Sequence, residues 1–299
     1  MQRVGQGDQE RRRQSSRDTV HVVQRHGEGV IPASGVLRRV RRDLFIPETI
    51  WVPVEGTGWF RPLRREDDPG GWQEEVESER SVVIQVDDGA TERGKWPTSS
   101  SSAPHIMAKM LDALELRPGL RVLEIGGGSG YNAALVAELV GAENVTTVEI
   151  DASLADHARR ALSRAGYPVT VITADGTLGH PHGAPYDRIV ATAAVREVPY
   201  AWVEQTRPGG MILVPWVASF HPDEPLVALK VDPDGTAEGR FGSAAWFMPI
   251  RSQRLPQQAI RETEERWAAA GKPEASRYGV TVTPKAQRIW LDSPDNPVT

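Results

Sequence analysis

Between residues 104 and 216, helix-like and strand-like runs follow one another in strict alternation, and this order restricts the chain to very few folds. Residues 104–116 place Ile106, Met107, Met110, Leu111 and Leu114 at helical spacing and stop at Pro118-Gly119. Residues 121–125 read as a strand, 131–140 as a helix ending at Gly141, and 145–149 as a strand. Residues 153–165 read as a helix closed by Gly166, with strands at 169–173 and 187–192. A short helix at 200–206 leads to a strand at 210–216. Repeated strand–helix–strand order implies an open, mostly parallel α/β sheet. Residues 226–231 and 236–242 flank the turn Asp232-Pro-Asp-Gly235, which predicts a terminal antiparallel hairpin.

The flanks are less regular. Residues 1–30 are rich in Gln, Arg and Gly without a sustained period, which predicts a mobile basic arm. Residues 35–50 predict one short amphipathic helix, and 81–86 a strand. Beyond residue 250 a charged helix at 257–270 precedes two strand-like runs, 278–283 and 288–291. The chain therefore divides into 1–30, 31–97, 98–250 and 251–299.

The chain has no cysteine, which excludes disulfides, thiolate metal sites and cysteine nucleophiles. No run approaches the ~18 apolar residues of a membrane span. Residues 1–17 lack the apolar centre of a secretory signal, so a cytoplasmic protein with no membrane partner is expected. The formal charge of −5 argues against nucleic acid as a partner, although residues 1–43 carry ten Arg against five acids.

Chemistry concentrates in Val122-Leu-Glu-Ile-Gly-Gly-Gly-Ser-Gly-Tyr131. Gly126, Gly128 and Gly130 form a G-x-G-x-G turn between the first strand of the series and its helix. Such glycines admit positive φ and let the backbone approach a ligand, while amides at the helix start face a polar or anionic group. The spacing is not the G-x-G-x-x-G of dinucleotide folds, and by itself it fits a ligand loop or a tight structural turn equally. Two acids follow at the ends of the next strands. Glu149 can accept both hydroxyls of a ribose, and Asp175-Gly176 can accept an adenine amino group. Three such elements at successive strand ends predict a ligand with an adenosine part. Glu124 and Tyr131 flank the loop and join it as candidate cofactor-binding residues.

In this order the motifs resemble those of S-adenosylmethionine-dependent protein-L-isoaspartate O-methyltransferases. The resemblance rests on E-I-G-G-G-S-G-Y, V-E-I-D, A-D-G, A-P-Y-D-R-I-V-A-T-A-A and R-P-G-G. It implies a class I methyltransferase, Rossmann-like, with a mostly parallel seven-stranded sheet and N- and C-terminal additions. It further implies S-adenosyl-L-methionine as cofactor and a peptide or protein carboxylate, from an Asp or isoAsp residue, as methyl acceptor. Residues 98–250 become the methyltransferase domain and 31–97 its substrate side. The family's T-x-S-x-P segment aligns with Ser100-Ser101-Ser102-Ala103-Pro104, making Ser102 and Ser100 the candidate catalytic residues. Ser101, His105, Thr192 and Ala193 are candidate substrate-binding residues, and no metal is implied.

Several positions also carry plainer readings. Ser102 before Ala103-Pro104 suits a helix N-cap. His105 suits an exposed helix surface, and His180 and His182 suit loop positions, since two histidines without acids do not make a metal site. Thr192-Ala-Ala194 suits either a pocket wall or close packing. The termini extend beyond the core in the manner of relatives that modify ribosomally made peptides. That likeness predicts methylation of an ordinary aspartate, whose ester then closes to an aspartimide. Isoaspartate repair is the alternative substrate reading, and a non-catalytic S-adenosylmethionine-binding partner of a peptide-modifying complex the alternative class.

Overall fold

The computed structural model describes residues 33–298. The arm expected at residues 1–30 lies outside the described residues. A large sheet and a small one organise the rest.

The large sheet starts from β5 (Val122–Ile125), β6 (Val145–Glu149), β7 (Thr170–Thr173), β8 (Tyr186–Ala191) and β9 (Thr206–Pro215). These five run parallel in the order β7-β6-β5-β8-β9. The hairpin β10 (Pro225–Val231) and β11 (Ala237–Ala244) then continues the sheet antiparallel beyond β9. Two further strands, β12 (Tyr278–Val282) and β13 (Gln287–Leu291), extend that edge. The sheet thus has nine strands where the resemblance implied seven. The physical reason lies in β12. Tyr278, Val280 and Val282 alternate into the core beside Phe241 and Leu229, so this strand covers apolar surface while pairing β11.

Helices cover both faces. α1 (Ala33–Leu37), α3 (Pro104–Ala113) and α4 (Tyr131–Val140) contribute to one core with Val36, Met107, Leu111 and Leu135. α6 (Tyr200–Gln205) contributes to the other with Trp202 and Val203, beside Trp216 and Phe241. α5 (Ala152–Ala165) follows β6, and α7 (Gln257–Ala269) precedes β12.

The small sheet is antiparallel, in the order β2-β1-β3-β4. It comprises β1 (Thr49–Val54), β2 (Trp59–Arg64), β3 (Val82–Val86) and β4 (Pro97–Ser101), with α2 (Pro69–Glu77) closing its core through Trp72 and Val76. The single helix expected over residues 35–50 is instead α1 and a separate 3-10 turn, Arg42–Leu44. Val36, Val40 and Phe45 still bury in one core, so their spacing reported a shared face and not a continuous helix.

Candidate active site

The glycine turn leaves β5 and is hung on β6. The amides of Gly126 and Gly127 donate to Val148 O at 2.9 and 3.1 Å. Gly126, Gly128 and Gly130 have φ of 96°, 50° and 85°. At Gly126 a side chain is doubly excluded, because a Cβ there would lie 2.9 Å from Thr192 Oγ1. That hydroxyl donates to Gly126 O at 2.6 Å, so Thr192 buttresses the turn from the end of β8. Ala193 lies beside it, 3.7 Å from the same Cβ position. α4 then starts with Gly130 as N-cap and no capping side chain, which leaves the positive helix end toward the turn. Tyr131 contributes packing, since its ring is buried against Phe45 at 5.8 Å.

The two strand-end acids sit side by side, with Ala174 N donating to Glu149 O at 3.1 Å. Glu149 is buried. Its Oε2 accepts from Gly128 N at 2.8 Å and its Oε1 from Asp151 N at 2.9 Å. Each carboxylate oxygen keeps a further lone pair for a ligand. Asp175 caps the short turn Gly176–Leu178, accepting from Thr177 N at 2.9 Å. Gly176 is fixed from behind by Trp202, whose Nε1 donates to its carbonyl at 2.8 Å. Two apolar side chains stand exposed at these strand ends, Ile150 at 45% and Leu178 at 65%. Neither was singled out from the sequence, although each lies within three residues of a candidate acid.

Glu124 lies under the turn and is fully buried. Asn132 Nδ2 donates to its Oε1 at 2.7 Å. Glu124 Oε2, Asn132 Oδ1 and Thr147 Oγ1 have no partner. Thr147 faces Glu124 across the β5–β6 pairing, and against the burial that raises the carboxyl's pKa its hydroxyl, like Asn132, lowers it, so two of these atoms act on each other. Burial pushes the Glu124 carboxyl up to about 7 from 4.5. The folded chain therefore binds this proton more tightly than the unfolded chain does. Its stability contribution is intact below pH 4.5 and declines as pH rises towards 7. Glu124→Gln, neutral throughout, is expected to stabilise the cofactor-free protein above pH 7 by roughly 3 kcal/mol and to add nothing at pH 4. Urea unfolding at both pH values checks this; an equal effect at both would contradict it.

The serine segment is the end of a strand. β4 pairs with β3 through Val83↔Ser100 and Val82↔Ser101. It lies against the glycine turn, for a Cβ on Gly128 would be 3.5 Å from Ser99 Oγ and 3.8 Å from Ser100 O. Neither Ser100 nor Ser102 has a hydroxyl partner among the described residues, and both are half-buried. Ser102 does not cap α3. The N-cap is Ala103, without a side-chain bond. The Ser101 hydroxyl, expected at the substrate, is held by Arg42. The residue is buried, and its Oγ accepts from Arg42 Nε at 3.2 Å, because alternate strand residues point to opposite faces. His105 is exposed on the first turn of α3.

A C-terminal strap completes the surroundings. Ala194 N donates to Met248 O and Ile250 N to Ala194 O, carrying the chain across the end of β8. Arg251 then reaches Asp151 at 2.9 Å and Asp88 at 3.2 Å, while Arg254 holds Asp88 with two bonds of 2.7 Å. Burial alone would raise the Asp151 carboxyl, yet hydrogen bonds from Ser153, Arg251 and Gln85 hold it well below the usual carboxylate range. Sequence reasoning missed this network because its members lie up to 166 positions apart. Among the described residues no group of three metal-ligating side chains occurs, and no helix is long and apolar enough to cross a membrane.

The model of the protein-L-isoaspartate(D-aspartate) O-methyltransferase family matches residues 82–255. The chain belongs to that family. A Hyperthermus butylicus protein-L-isoaspartate O-methyltransferase is 35% identical over 256 residues, covering 81% of this chain and 91% of the relative. The Methanothrix thermoacetophila enzyme of the same name is 40% identical over 216 residues, covering 72% and 85%. A solved protein-L-isoaspartate O-methyltransferase superposes with a TM-score of 0.63 at 21% identity, covering 91% of this chain and 96% of that one. That likeness places the fold among class I methyltransferases. As a family member the chain is an S-adenosylmethionine-dependent carboxyl O-methyltransferase.

Proposed function

We propose that the chain methylates the free carboxylate of L-isoaspartyl residues in peptides and proteins. The observation that carries this reading is the contact of Ser99 Oγ and Ser100 O with the glycine turn, which brings the serine segment, with the unpartnered hydroxyls of Ser100 and Ser102, against the cofactor loop. The long termini that favoured a dedicated peptide aspartate do not separate the two readings. One relative named for isoaspartate aligns with 81% of this chain at 35% identity, and a solved structure of that name superposes over 91% of it.

The residues present fit S-adenosylmethionine. The turn at Gly126–Gly130 is a cradle that side chains would fill, and the buried acid Glu124 beneath it suits a cationic amino group. Glu149 accepts ribose hydroxyls, Asp175 the adenine amino group, and Ile150 and Leu178 flank the base. When bound, the cofactor supplies an electrophilic methyl group. The acceptor carboxylate, with a pKa near 4, is already ionised at neutral pH, so no side chain need remove a proton. Its charge vanishes as the ester forms. A cationic clamp on it would therefore hold the reactants more tightly than the transition state. Ser100 and Ser102 orient the carboxylate as neutral donors, and alignment supplies most of the acceleration. The ester then reacts within the substrate. The next residue's backbone nitrogen attacks the ester carbonyl, methanol leaves, and a five-membered imide forms, which water opens to Asp or isoAsp.

Mass spectrometry of an isoAsp peptide incubated with enzyme and cofactor tests this. A gain of one base-labile methyl group is expected, then a net loss of water relative to the starting peptide, then recovery of the original mass as a mixture of isomers. Methylation that resists base would contradict a carboxyl ester.

A further inference from the structure

Arg42 lies on the 3-10 turn Arg42–Leu44, outside residues 82–255, which the family model matches. It is 8% exposed. A buried guanidinium normally meets a carboxylate. Here all three guanidinium nitrogens donate to five carbonyls and one hydroxyl. Nη1 takes Val76 O at 3.3 Å and Ser78 O at 3.0 Å. Nη2 takes Arg80 O at 2.9 Å, Ser101 O at 2.8 Å and Ser102 O at 3.1 Å, and Nε takes Ser101 Oγ at 3.2 Å. Among the described residues no carboxylate bonds it, and although burial lowers its pKa to about 10 it remains charged at neutral pH.

The carbonyls of Ser101 and Ser102 belong to the two peptide planes that follow these residues. Holding both fixes the backbone on each side of Ser102 and so the direction of its Cα–Cβ bond, which narrows where its hydroxyl can reach. The turn that carries Arg42 is itself anchored to the cofactor half. His157 Nε2 bonds Phe45 O at 2.7 Å, and Phe45 stacks tilted on Tyr131, the first residue of α4 after the glycine turn. One side chain therefore ties the serine segment to the end of α2, from a turn seated on the helix that leaves the cofactor loop.

We propose that Arg42 is a positioning residue for methyl transfer, setting the Ser100–Ser102 segment against the cofactor loop without touching the substrate. The inference rests on the serine segment being the acceptor side of the site. Its charge is spent on carbonyls behind the serines, which presents the substrate with aligned neutral donors and no cationic clamp.

The test compares Arg42→Lys and Arg42→Ala with Ser102→Ala in the full chain, well below their melting temperatures. S-adenosylhomocysteine affinity is read by calorimetry, and kcat and peptide KM from methyl transfer to an isoAsp peptide. Lysine keeps the charge and loses the fork. Arg42→Lys is expected to bind S-adenosylhomocysteine as the wild type does, with kcat/KM for the peptide reduced roughly tenfold to hundredfold, as for a misplacement near 1 Å. Both a lower kcat and a higher peptide KM are expected. A merely structural role would lower the active fraction, and so kcat, while leaving peptide KM unchanged. That pattern in Arg42→Lys, or wild-type kinetics in it while Ser102→Ala is impaired, would overturn the proposal. Wild-type kinetics in Ser102→Ala would instead overturn the reading of the serine segment on which it rests. If Arg42→Ala does not fold, the lysine variant decides alone.

Discussion

Glu149→Ala is expected to weaken S-adenosylhomocysteine binding on the order of a hundredfold, the largest loss of any single side chain on the cofactor side. The sequence placed this carboxylate at the ribose. The structure adds a second duty, because its two oxygens accept from Gly128 N and Asp151 N at 2.8 and 2.9 Å. Truncation removes the proposed ribose acceptor and orphans two amides as well. One of them belongs to the glycine turn and the other to the residue gripped by Arg251. A bond to a charged acceptor is worth ~1.5–3 kcal/mol, and a stranded buried donor costs about 1–3 kcal/mol. Glu149→Gln keeps the shape and one oxygen, so a loss several-fold smaller is expected. Calorimetry on the wild type and both variants, with melting curves to confirm folding, checks the order. Equal losses in both variants would mean that charge alone matters, and unchanged affinity would remove Glu149 from the site.

The sequence showed the α/β core because the elements from β5 to β9 obey local rules. Val122–Ile125, Val145–Glu149 and Tyr186–Ala191 are apolar strands between periodic helices, each with glycine or proline punctuation. The positions of the glycine turn, Glu149 and Asp175 were legible for the same reason, as each ends or follows one of these strands. The acceptor side was not. β2 carries Pro62 in its middle, which argues against a strand unless it is an edge, and β2 is the edge of the small sheet. β4 is Pro-Thr-Ser-Ser-Ser, with little strand propensity of its own. It is a strand because β3, 15 positions earlier, pairs with it. Missing that strand hid its alternation, so Ser101 was placed at the substrate when it turns back to Arg42. Arg42 was invisible for a different reason. Nothing local distinguishes it from Arg38, Arg39 or Arg41, and only the fold brings the carbonyls of Val76, Ser78 and Ser102 around it. The nine-stranded sheet was half-legible, since the runs at 278–283 and 288–291 read as strands without showing which edge they join.

Selectivity between isoaspartate and aspartate is where the largest effect of all is expected. The two residues carry the same carboxylate at the same charge, so electrostatics cannot separate them. They differ in where the chain leaves it. In isoaspartate the main chain passes through the side-chain methylene, and the free carboxylate sits on the α carbon. In aspartate it stands one methylene away from the main chain. A site that grips the peptide and the carboxylate together must misplace one of them by about one bond length, and a misplacement near 1 Å costs on the order of a hundredfold in rate. In the proposed function that grip falls to the serine segment, whose Ser101 and Ser102 carbonyls accept from Arg42 at 2.8 and 3.1 Å. The direct measurement is the initial rate of base-labile methyl transfer from labelled S-adenosylmethionine to two peptides identical except for one isoAsp or Asp. A kcat/KM at least about a hundredfold higher for the isoAsp peptide is the predicted result. Equal rates, or a preference for the Asp peptide, would contradict the account and return the chain to the class that methylates ordinary aspartate.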